Sequence, residues 1–173
     1  MRLMVVGVGA LGSYFGGALA ASGHDVTLLI RNREHRNAIR ANGLELRLDS
    51  GSSVIHPNVI DAESADQAGL ADIVIVFTKT GATRAALADA MPVIGPDTRL
   101  FSIQNGLGND GVLAEFVPRD RGIYGTTMAP ADIVAPGIVE SHGAHRSQFR
   151  AATDDATTTD MATRFAAMLN EAG

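Results

Sequence analysis

The sequence predicts a doubly wound α/β domain: a mainly parallel sheet, an antiparallel hairpin near the C-terminus and a closing helix. Three observations carry this. Short apolar runs of strand length alternate with helical stretches from Leu3 to Phe116, the pattern of successive βα units. The run Ala71-Asp72-Ile73-Val74-Ile75-Val76-Phe77 is almost continuously apolar, as in a strand covered on both faces. The first run, Leu3-Met4-Val5-Val6, leads straight into the turn Gly7-Val8-Gly9-Ala10-Leu11-Gly12.

In order along the chain, the glycine turn opens a helix over residues 10–21, and Val26-Thr27-Leu28-Leu29-Ile30 forms the second strand. A short helix over residues 33–41 closes on Asn42-Gly43. Leu44 to Leu48 alternates apolar and charged residues, and Asp49-Ser50-Gly51 turns it back into Val54-Ile55, a hairpin inserted at the sheet edge. The strand at residues 71–77 is followed by a helix over 80–91 that Pro92 stops. Leu100 to Ile103 is the next strand, and a helix capped by Asn109 or Asp110 runs through Phe116. Ile123-Tyr124-Gly125 is a short strand or turn. Residues 137–141 and 148–151 read as two antiparallel strands around His142-Gly143-Ala144-His145. Thr153 to Thr159 enters and caps a last amphipathic helix over 155–171, with Met161, Phe165, Met168 and Leu169 at helical spacing.

The strand–turn–helix context makes G-x-G-x-x-G a dinucleotide fingerprint, and the fold Rossmann-type. Gly7 allows the tight turn, Gly9 lets a pyrophosphate approach the backbone, and Gly12 lets the helix lie close to the strand. The residues Gly7, Val8, Gly9, Ala10, Leu11 and Gly12 are thus the candidate pyrophosphate site, with the N–H groups of the helix N-terminus facing the phosphates. Arg31 stands 19 residues past Gly12, where an NAD site usually carries Asp or Glu. A guanidinium there suits a 2′-phosphate, which a carboxylate would repel, so NADP(H) is the expected cofactor. Asn32 and Arg33 follow as a further donor and charge; the alternative is a solvated basic loop from Arg31 to Arg36.

Ligands of doubly wound sheets bind at the carboxyl ends of the strands. Lys79 and Asn105 stand there, a point charge and a donor–acceptor amide, both candidates for contact with ribose and substrate. The other readings are a surface lysine and a turn former before glycine. His142 and His145 lie on a hairpin with no third ligand, which favours a turn over a metal site. Tyr124 suits packing better than proton transfer. The formal net charge is −5 and the pI about 5.4, giving no electrostatic support to a nucleic-acid partner. Hydrophobic residues at 46% and charged residues at 19% fit a globular domain. Without cysteine there is no disulfide framework or thiolate chemistry, and no run suits a spanning helix or a secretory signal. A cytoplasmic protein with no membrane partner is the expectation.

Taken together, Gly7-Val8-Gly9-Ala10-Leu11-Gly12-Ser13-Tyr14-Phe15-Gly16, Val76-Phe77-Thr78-Lys79-Thr80, Ser102-Ile103-Gln104-Asn105-Gly106-Leu107-Gly108-Asn109 and Ala135-Pro136-Gly137-Ile138-Val139 resemble the landmarks of ketopantoate reductases (2-dehydropantoate 2-reductases), in family order. The resemblance implies NADPH-dependent reduction of a 2-keto acid, 2-dehydropantoate, to the 2-hydroxy acid pantoate, on the route to pantothenate and coenzyme A. It implies that Arg31 contacts the 2′-phosphate and that Lys79 and Asn105, as the candidate catalytic pair of this chain, lie near the nicotinamide ribose and the substrate. There are departures. Ala82 replaces a glutamine that assists the 2′-phosphate in the family, leaving Arg33 or Arg84 to substitute, and His142 to Ser147 lacks the family's glycine pattern.

In the family a helical second half supplies the general-acid lysine and an acidic substrate-binding residue. Here Lys79 is the only lysine. Residues 1–173 are therefore expected to form the NADP-binding domain, with the helical substrate domain expected in the full-length protein and absent from this chain. The alternatives are a stand-alone NADP-binding or redox-sensing module, or another two-domain Rossmann dehydrogenase of the 3-hydroxyacid or glycerol-3-phosphate type.

Overall fold

A computed structural model describes residues 1–104, 108–143 and 147–172. The first unit is β1 (Arg2–Val6), α1 (Ala10–Ala21) and β2 (Asp25–Leu29), followed by α2 (Arg33–Asn42). The hairpin β3 (Leu44–Leu48) and β4 (Gly51–Ile55) comes next, then a three-residue strand β5 (Asn58–Ile60). After them run β6 (Ile73–Val76), α3 (Thr83–Ala90), β7 (Arg99–Ser102), α4 (Asn109–Leu113) and β8 (Gly122–Thr127). The chain finishes with β9 (Asp132–Ala135), β10 (Ile138–Ser141), β11 (Ser147–Ala151) and α5 (Ala156–Ala172).

The main sheet has the order β11-β8-β7-β6-β1-β2-β5. All its neighbours pair parallel except β11, which runs antiparallel to β8. This is the doubly wound, mainly parallel Rossmann-type fold that the sequence predicts. Its strands alternate apolar residues between two cores, because successive side chains leave a strand on opposite faces. Leu3, Val5, Ile73, Ile75 and Phe101 point to the face carrying α1 and α5. Met4, Val6, Val74, Val76 and Leu100 point to the face carrying α3 and α4. Each such side chain contributes about 1.5–3 kcal/mol by leaving water. The closing helix docks through Phe165, whose ring lies 4.3 Å from Phe101 between centroids.

Several elements depart from the sequence reading. The β3–β4 hairpin is not an insertion at the main sheet's edge: it belongs to a second sheet, β4-β3-β10-β9. That sheet covers the outer side of α1, so the helix is held between two sheets. Gly17 permits this, since a Cβ there would lie 2.8 Å from Leu46 and 2.9 Å from Leu44. Residues 137–141 and 148–151 do not pair with each other. β10 pairs parallel with β3 and antiparallel with β9, whereas β11 joins the main sheet, so the antiparallel hairpin is β9–β10 around Pro136-Gly137. Pro92 does not end α3: the helix stops at Ala90, and Pro92 sits inside a short 3-10 turn over Met91–Val93, whose geometry tolerates it. Helix α4 is capped by Gly108 at φ 85° without a side-chain bond, rather than by Asn109 or Asp110, and it ends at Leu113.

Candidate functional site

One cleft of about 580 Å³ opens at the carboxyl ends of β1, β2 and β6, and it gathers most of the residues singled out from sequence. Gly7, Val8, Gly9, Ala10, Leu11, Arg31 and Lys79 line it, with Asn32, Phe77, Thr78, Ala82, Ala86 and Ala131. Asn105 lies outside the described residues, as do Gly106, Leu107 and His145.

The glycines divide their work. Gly7 adopts φ 80°, and a Cβ on it would lie 2.4 Å from the Thr78 nitrogen, so the turn excludes any other residue there. Gly12 does not line the cleft; its hydrogen side abuts the Gly7 carbonyl, which a Cβ would approach to 2.5 Å. Gly9 is the opposite case. No protein atom lies within 4 Å of its Cβ position, so the space it keeps open belongs to the cleft. Gly9 also caps α1 with backbone alone, and the first turn of the helix contains no acidic residue. Unpaired N–H groups and the positive end of the helix dipole therefore face the opening without a competing carboxylate.

At the end of β2, Asn32 caps α2 by accepting the His35 N–H at 3.0 Å, which fixes the loop that presents Arg31. Arg31 is half exposed, and its Nε donates to the Asp89 carboxylate of α3 at 2.6 Å. Among the described residues neither of its Nη groups donates elsewhere. Arg33 and Arg84, the residues that could stand in for the glutamine missing at Ala82, are both exposed. Neither lines the cleft, and Arg84 is held by Glu115 through two bonds of 2.8 and 2.6 Å.

Two residues whose roles the sequence reading missed hold the cleft in shape. His35 is 3% exposed, and its Nδ1 accepts the Gly137 N–H at 3.0 Å. A backbone N–H can only donate, so the ring proton sits on Nε2 and reaches Ser13 Oγ at 2.9 Å. One neutral imidazole thus ties α1, the start of α2 and the β9–β10 turn together. Burial holds its pKa below the ordinary histidine value. Gln104, also buried, joins the ends of β6 and β7. The two hydrogens of its Nε2 are shared among the Thr78 carbonyl, Thr78 Oγ1 at 3.1 Å and Thr83 Oγ1 at 2.8 Å. Its Oε1 accepts from Ser102 Oγ at 3.0 Å. The segment leading to Lys79 is anchored on this knot, while the Lys79 side chain is exposed at the cleft.

Tyr124 lines a different opening, together with Gln104, Asn109 and Arg150. Burial first, and then the charge of Asp110, raises its pKa, so it keeps its proton. His142 pairs with Asp49 at 2.8 Å on the surface, a turn contact. Among the described residues no helix is long and apolar enough to cross a membrane.

The residues present fit a dinucleotide: an open glycine face at a helix N-terminus, an apolar floor and an arginine at the far end. The sequence profile of the family described as Ketopantoate reductase PanE/ApbA matches residues 3–153. A 2-dehydropantoate 2-reductase of Halobacterium salinarum is 37% identical over 158 residues, covering 89% of this chain and 51% of the relative. The crystal structure of 2-dehydropantoate 2-reductase from Geobacter metallireducens superposes with TM-score 0.89 at 32% identity, over 100% of this chain and 56% of that one. A D-mandelate dehydrogenase solved with NADH and anilino(oxo)acetate superposes at 0.92 with 28% identity, over 100% of this chain and 55% of that one. The chain spans about half the length of the curated relatives it matches.

Proposed function

This chain belongs to the ketopantoate reductase PanE/ApbA family, and from that premise we propose that residues 1–173 form the NADP(H)-binding domain of a reductase that converts a 2-keto acid, 2-dehydropantoate, to its 2-hydroxy acid. The observation that carries the reading is the convergence on one cleft of the open Gly9 face, the start of α1 with no side-chain cap, Arg31 and Lys79. In this reading the N–H groups at the start of α1 hold the pyrophosphate, and the Arg31 Nη groups take the 2′-phosphate in charge-assisted bonds. The NADH bound to D-mandelate dehydrogenase, in the same fold, supports a nicotinamide cofactor and makes NADH the second reading.

When bound, the reduced nicotinamide supplies a hydride to the carbonyl carbon of the keto acid. Lys79 and Asn105, the latter on the sequence alone, are the candidate pair for orienting the nicotinamide ribose and the substrate. The Lys79 ammonium places positive charge where a carboxylate or a developing alkoxide gathers negative charge. Gln104 holds the segment before Lys79 in register with the glycine turn. The alkoxide oxygen must take a proton from a positioned acid, a step that contributes about 10²–10⁴-fold. Lys79 is the sole lysine of this chain and lines the proposed cofactor cleft, so in this reading the acid comes from the family's helical half.

The test is NADPH oxidation with 2-dehydropantoate by this chain, and by a version extended with a helical second half from a family member. Binding of NADPH by both, with turnover in the extended version alone, is the expected result. Comparable turnover in both would make Lys79 the acid and overturn the division of labour.

A further inference from the structure

The carboxylate usual at an NAD ribose stands at the end of the second strand. Here that position holds Arg31, and a carboxylate from α3 is paired with its guanidinium. Asp89 lies in the last turn of α3, three residues on from Ala86, which lines the cleft. Its Oδ2 is 2.6 Å from Arg31 Nε. We propose that Asp89 is a specificity-determining residue, whose charge offsets Arg31 and narrows the discrimination between a 2′-phosphate and a 2′-hydroxyl. The inference rests on the cleft being the dinucleotide site.

A 2′-phosphate with about −1.5 to −2 charges must share Arg31 with this carboxylate and is repelled by it. A 2′-hydroxyl carries no charge and can donate to a carboxylate oxygen, as ribose hydroxyls do in NAD sites. One residue therefore opposes NADPH and favours NADH. The pair is partly exposed, with side-chain exposures of 51% for Arg31 and 23% for Asp89. Solvent screening then keeps the swing modest, at about 2- to 5-fold in the ratio of affinities.

The experiment is calorimetric titration of the chain with NADPH and with NADH, for wild type, Asp89→Asn, Asp89→Ala and Arg31→Ala. Both Asp89 variants remove a negative charge from a helix C-terminus, where the dipole disfavours it, so the fold is kept; thermal melts check this. The expected result is a NADPH-to-NADH affinity ratio raised about 2- to 5-fold by both Asp89 variants and collapsed by Arg31→Ala. A ratio that is unchanged or falls in the Asp89 variants, while Arg31→Ala still collapses it, overturns this inference alone. Wild type binding neither dinucleotide, or an Arg31→Ala ratio equal to wild type, overturns the reading of the cleft and this inference with it.

Discussion

Gly9 and Gly12 stand three residues apart in one turn, yet alanine at each must fail in a different way. At Gly9 the added methyl meets no protein atom within 4 Å, and the backbone is extended at φ −91°. Folding is nearly indifferent to it. Alanine caps a helix less well than glycine, while the unfolded chain loses about 0.4–1 kcal/mol of backbone freedom, so the two effects offset. The methyl instead occupies space a pyrophosphate needs, and crowding of that kind costs about 1–3 kcal/mol, or about 5- to 150-fold in affinity. At Gly12 alanine gains about 1 kcal/mol of helix propensity, but its Cβ is driven to 2.5 Å from the Gly7 carbonyl. That contact is with backbone, so the turn itself must move, and the fold loses stability along with the site. Thermal melts read the stability, and titration with NADPH followed by nicotinamide fluorescence reads the affinity. Gly9→Ala should melt with wild type and bind weakly; Gly12→Ala should melt lower. A Gly9→Ala chain that binds NADPH as wild type does, or that loses stability as Gly12→Ala does, would refute the assignment of the turn.

Two further outcomes follow from the buried polar knots. His35 is neutral in the folded chain with a depressed pKa, so above about pH 6.5 it contributes no proton difference between folded and unfolded states. As pH falls below that value the unfolded chain binds a proton the folded chain refuses, and stability drops until the folded pKa is reached. Denaturant melts from pH 7.5 to 5 should show this slope, and His35→Ala should lose it while costing about 1–3 kcal/mol at pH 7.5 by leaving the Gly137 N–H unpaired. Gln104→Leu should strand Thr78 and Thr83 and release the Lys79 segment. In the extended enzyme it should lower kcat about tenfold or more, through misplacement of the reacting groups, with the NADPH Kd within about threefold; an unchanged kcat would contradict the positioning role.

Local pattern made the strands of the main sheet legible: the apolar run at Ile73–Val76 and the turn at Gly7 announce themselves within a few residues. The strand β5 did not, because three residues after His56-Pro57 carry no periodicity, and only pairing with β2 defines it. The partner of β10 was misread because sequence proximity favours a hairpin with the next strand. What decides its place is β3, nearly a hundred residues earlier, which with β10 buries the outer side of α1. The site divides the same way. The glycine turn, Arg31 and Lys79 could be placed from spacing after the strands. The hydrogen bonds of His35 to Gly137, of Gln104 to Thr83 and of Arg31 to Asp89 join residues 102, 21 and 58 apart, and nothing local marks them.

The most direct test of the account is the affinity of wild type and Arg31→Ala for NADPH and NADH, measured on the same preparations. Arg31 at the cleft end should make NADPH the tighter ligand of wild type. Its loss should remove a charge-assisted contact worth about 1.5–3 kcal/mol, weakening NADPH about 10- to 150-fold and leaving NADH nearly unchanged. An equal loss for both dinucleotides would make Arg31 a partner of Asp89 and nothing more, and would contradict the claim that this cleft reads a 2′-phosphate.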